Sequence, residues 1–154
     1  MSAVVIAGDI SGSVTLDSPS VAGTTVLTLP TTSGTLATSV NGVISDSKGD
    51  VRAAPINTQA GAYVAVAADA GKTIYIATGG VTINASVFNA GDMVTIVNSS
   101  GSSQTITSGA SVIFRLAGTA TTGNRTLAQY GMATYLCVVG GATPTFHCSG
   151  AGLS

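Results

Sequence analysis

The feature that most constrains this chain is a cadence of short β-type runs. From residue 63 onward, runs rich in Val, Ile, Thr, Tyr and Phe recur about every 8 to 12 residues, each closed by a turn signal. Candidate strands fall at 63–67, 73–77, 81–84, 93–98, 104–107, 111–116, 125–129, 132–139 and 145–149. The turn signals include Asp69 with Gly71, Gly79-Gly80, Asn89 through Asp92, Gly123-Asn124 and Gly140-Gly141. With 49 β-branched residues and no glutamate, the chain lacks what holds a helix surface together. The expected fold is all-β, an antiparallel β-sandwich or jelly roll. No fixed 20- to 50-residue period is visible, so the sequence does not read as a solenoid.

Alternation assigns faces within these runs. Val94, Ile96, Val112, Phe114, Leu116, Tyr135 and Cys137 are inward candidates. Thr95, Thr105, Thr107 and Thr134 point outward or toward a neighbouring subunit.

The chain divides into two parts. Residues 1–50 read as an extended N-terminal β arm for attachment, and residues 51–154 as the sandwich domain. In the arm, Val14 and Leu16 alternate with polar neighbours as one short strand. Val26, Leu27 and Leu29 form a second, closed by Pro30. With Leu36 these are the large apolar groups the arm offers a partner. They are too few to bury a core alone.

Charge narrows the function. Only 7% of residues are charged and the net charge is −1. Five dispersed cations cannot release enough counterions to bind nucleic acid. The mean hydropathy of +0.51 raises the question of a membrane. No run approaches the roughly 18 apolar residues a spanning helix needs. The first ten residues lack the cationic start and apolar core of a signal peptide. Surfaces this poor in charge hide well in an assembly, because little has to be desolvated.

Chemistry is sparse. His147 is the one histidine, and it has neither a neighbouring carboxylate nor a G-x-S-x-G elbow to serve. His147 and Cys148 are adjacent on one run, hence on opposite faces. No C-x-x-C pair, EF-hand loop, phosphate-binding Gly loop or positioned carboxylate pair occurs. Asp69 and Asp92 sit in turn signals and read as turn formers. No catalytic residue, cofactor or metal is expected. Tyr63, Tyr75 and Tyr130 are the aromatics that could meet a sugar, with packing as the simpler role. Asn84, Asn98 and Asn124 head glycosylation sequons of the kind a chain this rich in Asn, Ser and Thr acquires by chance. Cys137 and Cys148 fall on neighbouring runs. In one register they face each other and could form a disulfide, a pairing that a one-residue slip would break; the simpler alternative is two reduced core thiols.

Residues 12–39, GSVTLDSPSVAGTTVLTLPTTSGTLATS, resemble a module of tailed-bacteriophage virion appendage proteins. The module's pattern is G-x-V-T-L, P, A-G-T, T-L-x-L-P and G-T-L-A, with Val26 standing where the fourth piece has Thr. Further stretches are similar to the small β-sandwich of phage fibres and head-decoration proteins. They include Ala70-Gly71-Lys72, 80–85, 88–99, Thr105 through Thr107, Thr126-Leu127, 131–135 and 148–154. At the end the chain departs from the pattern, with Phe146-His147-Cys148 carrying one aromatic where two are common.

The resemblance implies a non-enzymatic structural protein, a homotrimer on the outside of a phage particle, assembled in the host cytoplasm. A short arm and one globular domain suit a capsid decoration (cement) protein on the head. Its arm would then bind the major capsid protein by strand addition. The alternative is a short tail fibre or adhesin that binds a host-surface glycan through loops such as 99–103 and 120–124.

Overall fold

The structure is a computed structural model that describes residues 4–7, 11, 13–16, 39–40, 43–46, 49–51 and 53–154. The chain forms two compact units, residues 1–36 and 37–154. The division therefore falls earlier than the expected 50/51. Residues 39–50 belong to the second unit because they pair as short strands within it.

In the first unit, β1 (Val4–Ala7) and β2 (Ser13–Leu16) form an antiparallel hairpin, Val4 opposite Leu16 and Ala7 opposite Ser13. Val14 and Leu16 of the expected arm strand lie on β2. Val26, Leu27, Leu29 and Leu36 lie outside the described residues.

The second unit opens with a three-stranded antiparallel meander of β3 (Ser39–Val40), β4 (Val43–Asp46) and β5 (Gly49–Asp50). A nine-stranded sheet follows. Its strands are β6 (Ile56–Gln59), β7 (Tyr63–Val64), β8 (Thr73–Ile76), β9 (Val81–Ile83), β10 (Met93–Asn98), β11 (Gln104–Ser108), β12 (Ile113–Leu116), β13 (Arg125–Val139) and β14 (Thr145–Leu153). A 3-10 turn at Ala67–Asp69 separates β7 from β8.

The all-β class agrees with the sequence. The pairing direction corrects it: five pairings of the large sheet are parallel, where a sandwich or jelly roll of the expected kind is antiparallel. Strands β6, β8 and β10 stack in parallel as one ladder. Strands β7, β9 and β11 form a second. The chain thus winds through three successive two-strand turns. The repeat escapes a fixed-period search because its length changes. Ile56 to its partner Thr73 is 17 residues, and Thr73 to its partner Thr95 is 22.

One long strand ties the ladders together. The C-terminal part of β13 pairs antiparallel with β10, its N-terminal part pairs with β11, and β14 lines its other edge. The sheet path β6-β8-β10-β13-β11-β9-β7 therefore folds back on itself into a nearly closed, barrel-like arrangement. The register between β13 and β14 shifts between Leu127 and Met132. This irregularity, with Tyr130 at φ 54°, turns the strand and joins what reads in sequence as two runs.

Inside lies one core. Ile74 and Ile96 stack in register across β8 and β10, beside Val94, Val81, Ile83 and Ile106. Phe114 packs edge-on against Tyr135 and Phe146 at centroid distances of 5.0 and 5.7 Å. All the inward candidates are buried except Leu116, which is half-buried. Each buried β-branched or aromatic side chain of this size contributes about 1.5–3 kcal/mol of transfer free energy. The core rather than strand propensity thus fixes which face points in.

Candidate functional site

Among the described residues, the outer face of the large sheet carries a run of exposed apolar side chains. Strand β13 alternates strictly after its bend: Ala133, Tyr135 and Cys137 point into the core, Met132, Thr134 and Leu136 away from it. Register carries the alternation across neighbouring strands. One row runs Met93, Leu136, His147, Arg115. A second runs Tyr75, Val97, Met132, Ala151. Between them lie Thr73, Thr95, Thr134 and Ser149, with the hydroxyls of Thr95 and Thr134 3.3 Å apart.

This face is apolar and nearly uncharged. Met132 is 55% exposed, Met93 49% and Leu136 40%. Val138, Val139 and Ile113 extend the patch beyond the rows. Arg115 is the one formal charge in the two rows. A contiguous apolar patch of this kind marks an association surface. An open sheet face of this kind suits another protein surface better than a small molecule.

The mouth of the barrel holds a polar cluster. Strands β6 and β7 end the sheet path, and they carry Asn57 and Tyr63 of the cluster. Asp69, buried to 1% exposure, accepts from Asn57 Nδ2 (2.8 Å), the Tyr63 hydroxyl (2.9 Å) and the Val66 amide (2.9 Å). Gln59 Nε2 donates to Asn57 Oδ1 at 2.7 Å. Three neutral donors replace the water that a buried carboxylate loses. Burial, and then the bond to Asp69, push the Tyr63 hydroxyl above its ordinary pKa of 10.0. Asp69 is thus more than the turn former its sequence setting suggests. The signal that marks it is distant in sequence, since Asn57 and Tyr63 meet it only once β6 and β7 are in place. Asp92 does cap a turn, its Oδ2 accepting from the Asn89 amide at 2.8 Å.

The thiols do not face each other. Tyr135 stands opposite Cys148, and Cys137 opposite Phe146. The possible disulfide is therefore corrected: the cysteines are diagonal neighbours about 7–8 Å apart, beyond the span of a bridge. Both are free and buried. Burial pushes the Cys148 thiol up to about 12 and raises Cys137 as well, with Asp92 adding to the second shift. His147 is exposed on the outer face while Cys148 is buried, as adjacency on a strand requires.

The described residues hold no group of three His, Cys, Asp or Glu that could bind a metal ion. No helix among them is long and apolar enough to cross a membrane. Of the sequon residues, Asn84 and Asn124 are exposed. Asn98 is buried, its amide donating to the carbonyls of Ser102, Leu127 and Ala128.

No protein-family model matches the chain, and no curated protein matches it either.

Proposed function

We propose that this chain is a non-enzymatic structural protein of a tailed-phage particle, a homotrimeric decoration protein on the outer head surface. The observation that carries the reading is the apolar, almost uncharged outer face built on Met93, Met132, Leu136 and Tyr75. Covering that face in an assembly removes apolar area from water at little desolvation cost. The resemblance of residues 12–39 to virion appendage modules supplies the setting and gives the arm the role of contacting the major capsid protein. Its mechanism is mass action: a protein that binds the assembled shell and not its dispersed parts stabilises the shell, and many copies multiply a modest energy per copy.

Immunogold labelling of intact particles with antibody against this chain tests the proposal. Label spread over the head is the expected result. Label confined to the tail would replace decoration with the fibre reading. Particles without label would overturn the virion assignment.

A further inference from the structure

Arg125 opens β13 and points inward with Leu127, opposite Ile106 of β11. It is 3% exposed, yet among the described residues its side chain makes a single hydrogen bond, from Nε to the Gly123 carbonyl at 3.0 Å. A guanidinium carries five N–H donors, so four are left without an acceptor. They are not sealed in. Among the described residues the Tyr135 hydroxyl is the one buried side-chain polar atom that lacks a partner, so the terminal nitrogens of Arg125 keep contact with solvent.

No carboxylate among the described residues pairs with this charge. All six acids of the chain precede residue 93, so the strands β10 to β14 contain none. Asp69 is engaged by Asn57, Tyr63 and the Val66 amide, and Asp92 by the Asn89 amide. The Ser154 oxygen accepts from the Thr126 amide. A buried charge without a counter-charge is costly. The fold nevertheless holds this one in place. The Gly123 amide donates to the Phe114 carbonyl at 3.2 Å, and Asn124 Oδ1 accepts from the Ser108 amide and hydroxyl at 2.9 and 3.0 Å. The two residues before Arg125 are thereby tied to β12 and β11, and Nε is tied to the first of them.

The surroundings add a donor and no acceptor. Phe114 packs on Tyr135 at 5.0 Å, and Tyr135 stands opposite Cys148. The Tyr135 hydroxyl has no acceptor of its own. Burial, then the neighbouring Cys148, raise the Tyr135 phenol, and burial raises the Cys148 thiol; the positive charge of Arg125 opposes both shifts. A cation would be repelled here, and a neutral ligand would leave the charge unanswered. A ligand that is negative and accepts hydrogen bonds satisfies both needs. We propose that Arg125 anchors a binding site for one small oxyanion, a carboxylate or a phosphate, with two of its oxygens on the terminal nitrogens of the guanidinium. The site uses the inner side of β13 and not the outer apolar face, so it is independent of the decoration reading.

The test is NMR of the full chain, following the Arg125 Nε–H and Gly123 amide signals. Sodium acetate and sodium phosphate are each titrated in, against sodium chloride at equal ionic strength. Saturable shifts of both signals with acetate or phosphate are expected, with a midpoint that does not depend on protein concentration. The same shifts appearing without added anion as the protein is concentrated would assign the oxyanion to a carboxylate of another copy. Melting temperature gives a second readout. The anion that saturates the shifts should raise it by about 2 °C or more in the parent and not in Arg125→Met, which keeps an unbranched stem in the buried position without the charge. Shifts no larger than those with chloride, for both anions and at every protein concentration, would overturn the proposal. So would an equal rise of melting temperature in Arg125→Met.

Discussion

The hydroxyl of Tyr63 donates to Asp69 Oδ2 at 2.9 Å, within a cluster that also takes in Asn57 of β6. The two residues lie on either side of the corner between the first and second turns of the winding, where β6 and β7 have no further strand in the sheet path. Asp69→Ala would leave the Asn57 amide, the Tyr63 hydroxyl and the Val66 amide without their acceptor. A loss of about 2–4 kcal/mol is expected. Tyr63→Phe removes the donation to Asp69 and the bond accepted from Asn57 Nδ2 but leaves the carboxylate its Asn57 and Val66 donors, and should cost about 1 kcal/mol. Urea unfolding measures both, and equal costs for the two variants would contradict this account.

The thiols make stability fall on the alkaline side. An exposed cysteine ionises near 9.0, whereas burial holds Cys148 protonated up to about 12. Above pH 9 the unfolded chain therefore binds fewer protons than the folded one, and stability drops as pH rises from about 9 to 12. Below 9 the contribution is fully present. The raised Tyr63 acts in the same direction above 10. Melting temperature should be lower at pH 11 than at pH 8, with the drop reduced in Cys148→Ala relative to that variant's own value at pH 8. In the native state neither thiol should react with iodoacetamide at the rate seen in denaturant, and mass spectrometry should find both reduced.

Gly150 is required by its neighbours rather than by its torsion angles. It pairs with Ala133, and a Cβ there would overlap the Met132 carbonyl and the Ala133 backbone. Gly150→Ala should destabilise the fold by about 3 kcal/mol, since β13 and β14 must separate to admit the methyl group. Gly61, with open space around the same position, should accept alanine with little change. Denaturant midpoints of the two variants check the contrast.

The apolar face should govern association. Leu136→Glu places a carboxylate between Met93 and His147, in the middle of one row. Self-association measured by light scattering should weaken at least about tenfold, because the carboxylate would have to be stripped of water in the assembly. The melting temperature of the isolated subunit should move little. Unchanged association would remove this face from the proposed interface.

The sequence carried the faces of the strands better than their connections. Ile74, Ile96 and Tyr135 announce themselves by period-two alternation, a local property. Strand direction is not local. Thr73 and Thr95 pair in parallel because the intervening chain crosses back, and nothing in either run encodes that crossing. The same limit hid the Asp69 cluster, whose members are 12 residues apart from Asn57 to Asp69 and meet through tertiary structure. The disulfide question turned on register: a shift of two residues sets Cys137 opposite Phe146 instead of Cys148 while both thiols stay on the inner face, so alternation does not distinguish the two pairings. Tyr130 read as a packing aromatic because its exposure depends on a bend that splits β13 into two apparent runs.

The placement of β13 also sets an order of events on the ribosome. Synthesis delivers both parallel ladders before the strand that borders them, so the nascent chain holds unpaired β10 and β11 edges until residue 139 has emerged. Parallel pairs of high sequence separation form slowly, and exposed edges invite pairing between chains. Maturation of this protein is therefore a race between late closure by its own β13 and capture by another nascent copy. Slower translation before residue 125 would lengthen the vulnerable interval and lower the yield of soluble protein.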